Sequence, residues 1–174
     1  MSSGSIPMFA SRITLLLGLA VGAAFALPVS AKEAPKDTER VLQMLQAWHE
    51  TDVPGGQAWS HWPDAGPALV WLGENGQLVR DRRRALAALQ FFPSTEHRDR
   101  LLKIAADPNL NPLIRAGALR GLKGQTLSAD LCRQFEAYLH DTPLPMRVAT
   151  ERLLLSPACP SAQRKASERL EPAP

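Results

Sequence analysis

Beyond Gly76 the chain repeats one pattern, in which apolar residues recur three and four positions apart. This spacing places the apolar side chains on one face of a helix. Segments of this kind, ten to fifteen residues long, follow one another and are separated by short turns that contain Pro, Asn or Gly. The sequence has no run of alternating β-branched residues that could supply strands. The pattern therefore predicts an all-α fold.

The helical segments are also related to one another as an internal repeat. Arg, Ala, Leu and Leu recur at the same offsets in 82–89 and 115–122, thirty-three residues apart, and a weaker third copy begins at Met146. Two amphipathic segments, 94–106 and 127–141, lie between the copies. One helix pair cannot bury its apolar face alone, so neighbouring pairs have to supply the other wall. We interpret the repeat as stacked helix pairs; the alternative is an irregular helical bundle whose similarity is accidental.

The part of the chain before the repeats is organised differently. Residues 35–51 carry an apolar stripe and predict a helix, with Asp37 as its N-cap residue. Residues 57–76 are rich in Gly, Pro and Trp, and they form the least regular stretch. We therefore divide the chain after Gly76. Residues 32–76 are an N-terminal helix with a Trp-rich capping segment, and 77–171 hold the helical repeats.

The first thirty-one residues predict an export signal. Arg12 is the only charged residue before Lys32, and fifteen apolar residues, Ile13–Leu27, follow it. Pro28 and the residues up to Ala31 have the character of a signal-peptidase site. The alternative is a retained membrane anchor, because the uncharged stretch is close to the ~20 residues that span a bilayer. We favour the interpretation that residues 1–31 are a signal peptide. This predicts a periplasmic or secreted protein without a stable membrane span.

The turn before the third copy resembles that of a HEAT repeat. It reads DTPLPMRVA from Asp141 onward, and in HEAT repeats an Asp in this turn and an Arg six residues later commonly form a ladder between repeats. Asp141 and Arg147 have this spacing, and Asp107 and Arg115 are two residues further apart. The chain is similar to degenerate HEAT-like repeats, also called the PBS-lyase type, over about 76–170. The resemblance implies a short right-handed α-solenoid of HEAT-like helix pairs that binds another protein.

Cys132 and Cys159 are the two cysteines of the chain. We predict a disulfide between them, because disulfides form and persist in exported proteins. Cys132 lies near the start of one predicted helix and Cys159 just before the last one, 160–170, and stacked helices would bring the two starts together. The alternatives are two free buried thiols or a redox pair, and the lack of a C-x-x-C motif argues against the redox pair.

The tryptophans are concentrated in twenty-four residues: Trp48, Trp59, Trp62 and Trp71. Side chains of this size could cover the open end of the repeats. They could also form a surface that binds a peptide, a glycan or a peptidoglycan fragment. A third interpretation is a metal site, although the spacing of its ligands matches no known pattern. Those ligands would be His49, Asp52, His61 and Asp64.

One dense run of charge opens the first repeat copy, with Arg80, Asp81, Arg82, Arg83 and Arg84. On a helix these side chains point in several directions, so a solvated helix start with Arg82 in the repeat ladder is the favoured interpretation. The alternative is a docking patch of Arg80, Arg83 and Arg84 for an acidic partner, since guanidinium groups suit the recognition of carboxylates.

Composition and motifs exclude several function classes. A formal net charge of +3 is too small for a dedicated nucleic-acid binder. The sequence contains no G-x-S-x-G, no P-loop, no G-x-G-x-x-G and no H-E-x-x-H. We therefore expect no enzymatic activity, no cofactor and no metal. The favoured function is an exported scaffold that binds another envelope protein, and the alternative is a glycan-binding or peptidoglycan-fragment-binding module built on the Trp-rich region.

Signal cleavage gives a direct test of the compartment. We expect protein recovered from the exporting cell to begin at Lys32, because the peptidase cuts after the small residue Ala31. N-terminal sequencing of the purified protein measures this. A chain that still begins at Met1 and remains with the membrane fraction would show that the segment is a retained anchor.

Overall fold

A computed structural model describes residues 33–47, 56–140 and 142–160 of the chain. Within these ranges the protein is mostly helical and has no strand, which confirms the all-α prediction. Eight α-helices lie in the described part: α1 Thr38–Ala47, α2 Gly56–Trp59, α3 Ala65–Asn75, α4 Val79–Ala88, α5 Thr95–Ala106, α6 Pro112–Gly121, α7 Ala129–Glu136 and α8 Leu144–Leu154. The predicted signal segment 1–31, Trp48 and the predicted helix beyond Pro160 lie outside these residues.

The three repeat copies fold as the second helices of successive pairs, α4, α6 and α8, and the amphipathic segments between them fold as α5 and α7. Helix α6 packs against α4 on one side and against α8 on the other, while α3, α5 and α7 pack against α4, α6 and α8 respectively. Burial follows the repeat register, since Ala85, Ala118 and Thr150 occupy the same offset and none is exposed. The core therefore runs along the row of second helices.

The structure corrects one expectation for the region before the repeats. Residues 57–76, predicted to be the least regular stretch, contain the eleven-residue helix α3. Pro67 lies in the first turn, where its missing N–H leaves no intrahelical bond unmade. Gly73 lowers helix propensity locally, but a Cβ there would lie 2.5 Å from Leu86 Cδ2. The glycine allows α3 to approach α4, and this tertiary contact is invisible to the local sequence pattern.

Helices α4 and α6 pack backbone against backbone. A Cβ on Gly117 would lie 2.6 Å from the carbonyl oxygen of Arg83. Further along, a Cβ on Gly121 would meet the backbone of α4. A Cβ on Gly124 would meet the carbonyl oxygen of Gln90, in the turn that follows α4. Because the contacted residues advance along both segments together, α4 and α6 run parallel. Their first turns therefore lie at the same edge of the fold.

Two arginines of the repeat connect the helices of a pair. The Nε of Arg82 donates to the carbonyl oxygen of Gly73 at 3.0 Å, and the Nε of Arg115 donates to that of Ala105 at 3.0 Å. Both carbonyls belong to the last turn of a first helix, where carbonyl oxygens lack intrahelical partners and a cation is favourable. The carboxylate of Asp107 accepts a hydrogen bond from the backbone N–H of Asn109, in the turn between α5 and α6. Arg82 and Arg115 thus cap the preceding helix.

The predicted disulfide between Cys132 and Cys159 is confirmed. The two Sγ atoms lie at bonding distance and the two Cα atoms are 5.8 Å apart. Cys132 belongs to α7, Cys159 follows α8, and both side chains are buried. The bond therefore fixes the segment after α8 against the first helix of the third pair.

The glycine contact between α4 and α6 can be tested with Gly121→Ala. Alanine raises helix propensity by ~1 kcal/mol, yet the added methyl group meets the backbone of α4, which cannot rotate away. We expect the free energy of unfolding to fall by ~1–3 kcal/mol, measured by urea denaturation. Gly56→Ala is the control, because its Cβ would meet only the ring of Phe91, at 3.3 Å. A Gly121→Ala protein as stable as the parent would contradict the contact.

Candidate interaction surface and groove

Four of the five exposed large apolar side chains in the described residues lie at or next to the starts of second helices, and the fifth, Leu155, follows the end of α8. Within the described ranges, Leu78 and Val79 lie at the start of α4, Leu113 in the first turn of α6 and Leu144 at the start of α8. Their exposed fractions run from 37% for Val79 and Leu113 to 62% for Leu144. We call these four residues the turn-edge row. Single exposed apolar residues are ordinary, but here they recur in the first turn, or immediately before it, of three successive second helices.

The geometry of the second helices determines the length of this row. Neighbouring helix axes lie ~8–10 Å apart, so three helices side by side extend the row over ~20 Å. This length matches a few turns of a partner helix or several residues of an extended segment. The row therefore has the size of a protein contact and exceeds that of one small molecule.

A groove of about 820 Å³ lies beside α1 and the turn between α3 and α4. Its volume falls within the range of ligand-binding clefts. One wall is apolar and includes Trp71 and Leu78, and Leu78 also belongs to the turn-edge row. The polar lining consists of four amide side chains, three carboxylates, one guanidinium and one hydroxyl: Gln43, Gln46, Asn75, Gln77, Asp37, Glu39, Asp81, Arg40 and Thr38.

Two buried charges of α4 hold the last turn of α1. Asp81 and Arg84 are only 4% and 3% exposed. The Nη1 of Arg84 donates to the carbonyl oxygen of Leu45 at 2.8 Å, and the Nε2 of Gln46 donates to Asp81 Oδ2 at 2.9 Å. The position of Asp81 is occupied in the second copy by Ile114, which is buried and apolar. The charged pair is therefore specific to the first repeat, where it positions the α1 wall of the groove.

The arginine run does not form one surface. Arg80 is exposed, and its Nε donates to Asp81 Oδ1 at 3.2 Å. Arg83 is half-buried, and Arg84 is buried against α1. Arg80 and Arg84 lie about one helical turn apart on nearly the same side of α4, but Arg84 is covered by the end of α1. An exposed docking patch can therefore include Arg80 but not Arg84.

The three described tryptophans have three different environments. Trp59 is buried and packs edge-to-face against Phe92, with the ring centres 5.5 Å apart. Trp62 is half-buried, with the guanidinium carbon of Arg40 lying 4.2 Å from its ring centre. Trp71 is half-buried and lines the groove. The structure therefore places Trp71 in the lining of the groove and Trp59 in the core.

The proposed metal ligands are not gathered within the described residues. His61 and Asp64 are exposed on the turn before α3, whereas His49 and Asp52 lie outside the described ranges. Across residues 33–47, 56–140 and 142–160, no group of three or more His, Cys, Asp or Glu side chains could hold a metal ion. No helix in those same ranges is long and apolar enough to cross a membrane.

A second, smaller cleft is bordered by one ion pair between α3 and α5 and by another within α5. Arg100 bonds to Glu74 at 2.8 Å and to Glu96 at 3.2 Å. The hydrogen bond to Glu74 is the main reason that the pKa of Arg100 lies above its ordinary value. All three side chains are well hydrated, so pairs of this kind contribute little to stability.

No family model matches this chain, and neither does any curated protein or solved structure. The HEAT-like resemblance rests on the repeat itself and stays a prediction. Sequence reasoning did not identify the groove amides, although Gln43 and Gln46 are three residues apart in α1 and therefore share a helix face. Asn75 and Gln77 join them only through the folded turn after α3.

Proposed function

We propose that the protein is an exported, periplasmic HEAT-like scaffold that binds another envelope protein along the turn-edge row. In this proposal residues 1–31 are removed as a signal peptide. The pairs α3–α4, α5–α6 and α7–α8 then stack as a short right-handed α-solenoid. The observation that carries the proposal is the recurrence of exposed apolar side chains at the starts of α4, α6 and α8.

The chemistry of the row suits a partner that binds reversibly. Burying a large apolar side chain fully stabilises by ~1.5–3 kcal/mol, and these four are already partly covered. Association costs ~4–15 kcal/mol in lost freedom, so the row alone gives modest affinity. Arg80 and Arg147 are exposed in the same first turns as the row, and they can add contacts to carboxylates of the partner.

The compartment is supported by the cysteine pair. A buried disulfide between Cys132 and Cys159 is compatible with an oxidising compartment, where such bonds form and persist.

Site-specific photocrosslinking in the exporting cell tests the proposal. A photoreactive amino acid is placed at Leu113 in the row, and a matched one at the exposed Lys103 of α5. We expect a discrete crosslinked species from the Leu113 site alone. The charge introduced by Leu144→Asp should reduce its yield by about tenfold, because a buried carboxylate is unfavourable in an apolar contact.

Two further measurements make this experiment decisive. Circular dichroism of Leu144→Asp should match the parent, since Leu144 is 62% exposed and its replacement leaves the core intact. Equal crosslinking from both probe sites, or a yield at Leu113 that Leu144→Asp does not change, would contradict a partner seated on the row.

A further inference from the structure

Amide side chains line the groove from two sides. Gln43 and Gln46 come from α1, while Asn75 and Gln77 come from the end of α3 and the turn after it. Each amide offers two N–H donors and a carbonyl oxygen that accepts. Hydroxyl groups both donate and accept, so paired amides match the neighbouring hydroxyls of a sugar ring.

Hydrogen bonds within the protein hold three of these amides in place, and in the first of them the Nε2 of Gln43 donates to Glu39 Oε1 at 3.3 Å. The Nε2 of Gln46 donates to the buried carboxylate of Asp81 at 2.9 Å, and the Nδ2 of Asn75 donates to the carbonyl oxygen of Trp71 at 3.0 Å. Each bond uses one N–H, so among the described contacts the amide oxygen and a second N–H are left for a ligand. Such fixed groups lose less conformational freedom when a ligand binds.

An aromatic side chain lies in the same cavity. Trp71 is half-buried in the groove, beside Leu42 and the exposed Leu78. An indole gives a flat apolar face of large area. The C–H face of a pyranose ring is also flat and apolar, so it can pack on Trp71 while its hydroxyls turn to the amides.

The charges around the groove limit the kind of ligand. Asp37, Glu39 and Asp81 face one cation, Arg40, which lies over the Trp62 ring. This excess of carboxylates opposes an anionic ligand. Asp81, the buried carboxylate, already accepts hydrogen bonds from two side chains. The other two carboxylates, Asp37 and Glu39, are exposed to water, and Glu39 accepts a hydrogen bond from Gln43. No carboxylate of the groove is therefore buried without a partner, so an uncharged polar ligand fits the amides, and a cationic peptide is the competing class.

We infer that this groove binds an uncharged oligosaccharide, with one ring against Trp71 and its hydroxyls on the amides of Gln46, Asn75 and Gln77. The site is separate from the protein contact on the turn-edge row, although Leu78 borders both. A volume of about 820 Å³ exceeds the needs of one sugar ring. The ligand class is therefore a short chain of sugars.

Titration calorimetry of the mature protein tests the inference with three probes: chitotriose, cellotriose and trigalacturonate. We expect saturable binding of at least one of the two uncharged trisaccharides, with a Kd of ~1 mM or lower. Trigalacturonate, which carries carboxylates, should give no saturable heat. A Lys-rich peptide of similar size is the competing ligand class and is titrated in parallel.

Two variants locate the binding. Gln77→Ala removes an exposed amide of the groove and should weaken saccharide binding by about tenfold. Asn109→Ala is the matched control, because Asn109 is an exposed amide in the turn between α5 and α6, away from the groove lining. It should leave the Kd unchanged. Leu113→Asp in the turn-edge row should also leave it unchanged, so this result is independent of the protein-binding proposal.

Three results would overturn the inference. The first is a lack of saturable binding for both uncharged trisaccharides. The second is binding that Gln77→Ala and Asn109→Ala affect equally, which would place the sugar elsewhere on the protein. The third is saturable binding of the Lys-rich peptide alone, which would assign the groove to a cationic polypeptide.

Discussion

The close parallel contact between α4 and α6 is the centre of the described packing, because α1 and α3 pack against α4 while α5 and α8 pack against α6. A Cβ on Gly117 would lie 2.6 Å from a backbone oxygen of Arg83, and backbone, unlike the end of a side chain, cannot rotate away. Glycine at this position therefore allows α4 and α6 to lie closer together than a residue with a Cβ would permit. This separation and register place the starts of both helices at one edge, where Leu78 and Leu113 become neighbours in an apolar row.

The same helix α4 also positions the groove, by a different kind of interaction. Asp81 and Arg84 occupy core positions of the first repeat and bond to Gln46 and to the backbone of Leu45. Buried charges cost desolvation energy, and their net contribution to stability is small or negative. We interpret the pair as fixing where α1 ends relative to α4. That fixed position brings the amides of α1 opposite Trp71 and the turn after α3.

The helices beyond Gly76 were predictable because apolar residues at fixed spacing define them. The pairing of Cys132 with Cys159 was predicted from the expected oxidising compartment and from the placement of the two residues near helix starts. Helix α3 was not, because Pro and Gly argue against a helix locally and the gain from packing Gly73 on Leu86 comes from residues distant in sequence. The arginines show the same limit. Arg80 and Arg84 look alike in the sequence and lie one helical turn apart, yet Arg80 is exposed in the first turn of α4 and Arg84 is buried against the end of α1. The groove unites residues from α1 and α3, so no local pattern indicates it.

The central claim is that α4, α6 and α8 lie side by side with their starts at one edge. Spin labels attached at Val79→Cys and Leu144→Cys, with the native disulfide intact, measure this by double electron–electron resonance. Two successive interaxial distances of ~8–10 Å predict one narrow distribution centred near ~20 Å. A broad distribution, or a mean beyond ~35 Å, would contradict parallel stacking of the three helices, because no side-by-side arrangement at those helix spacings reaches it.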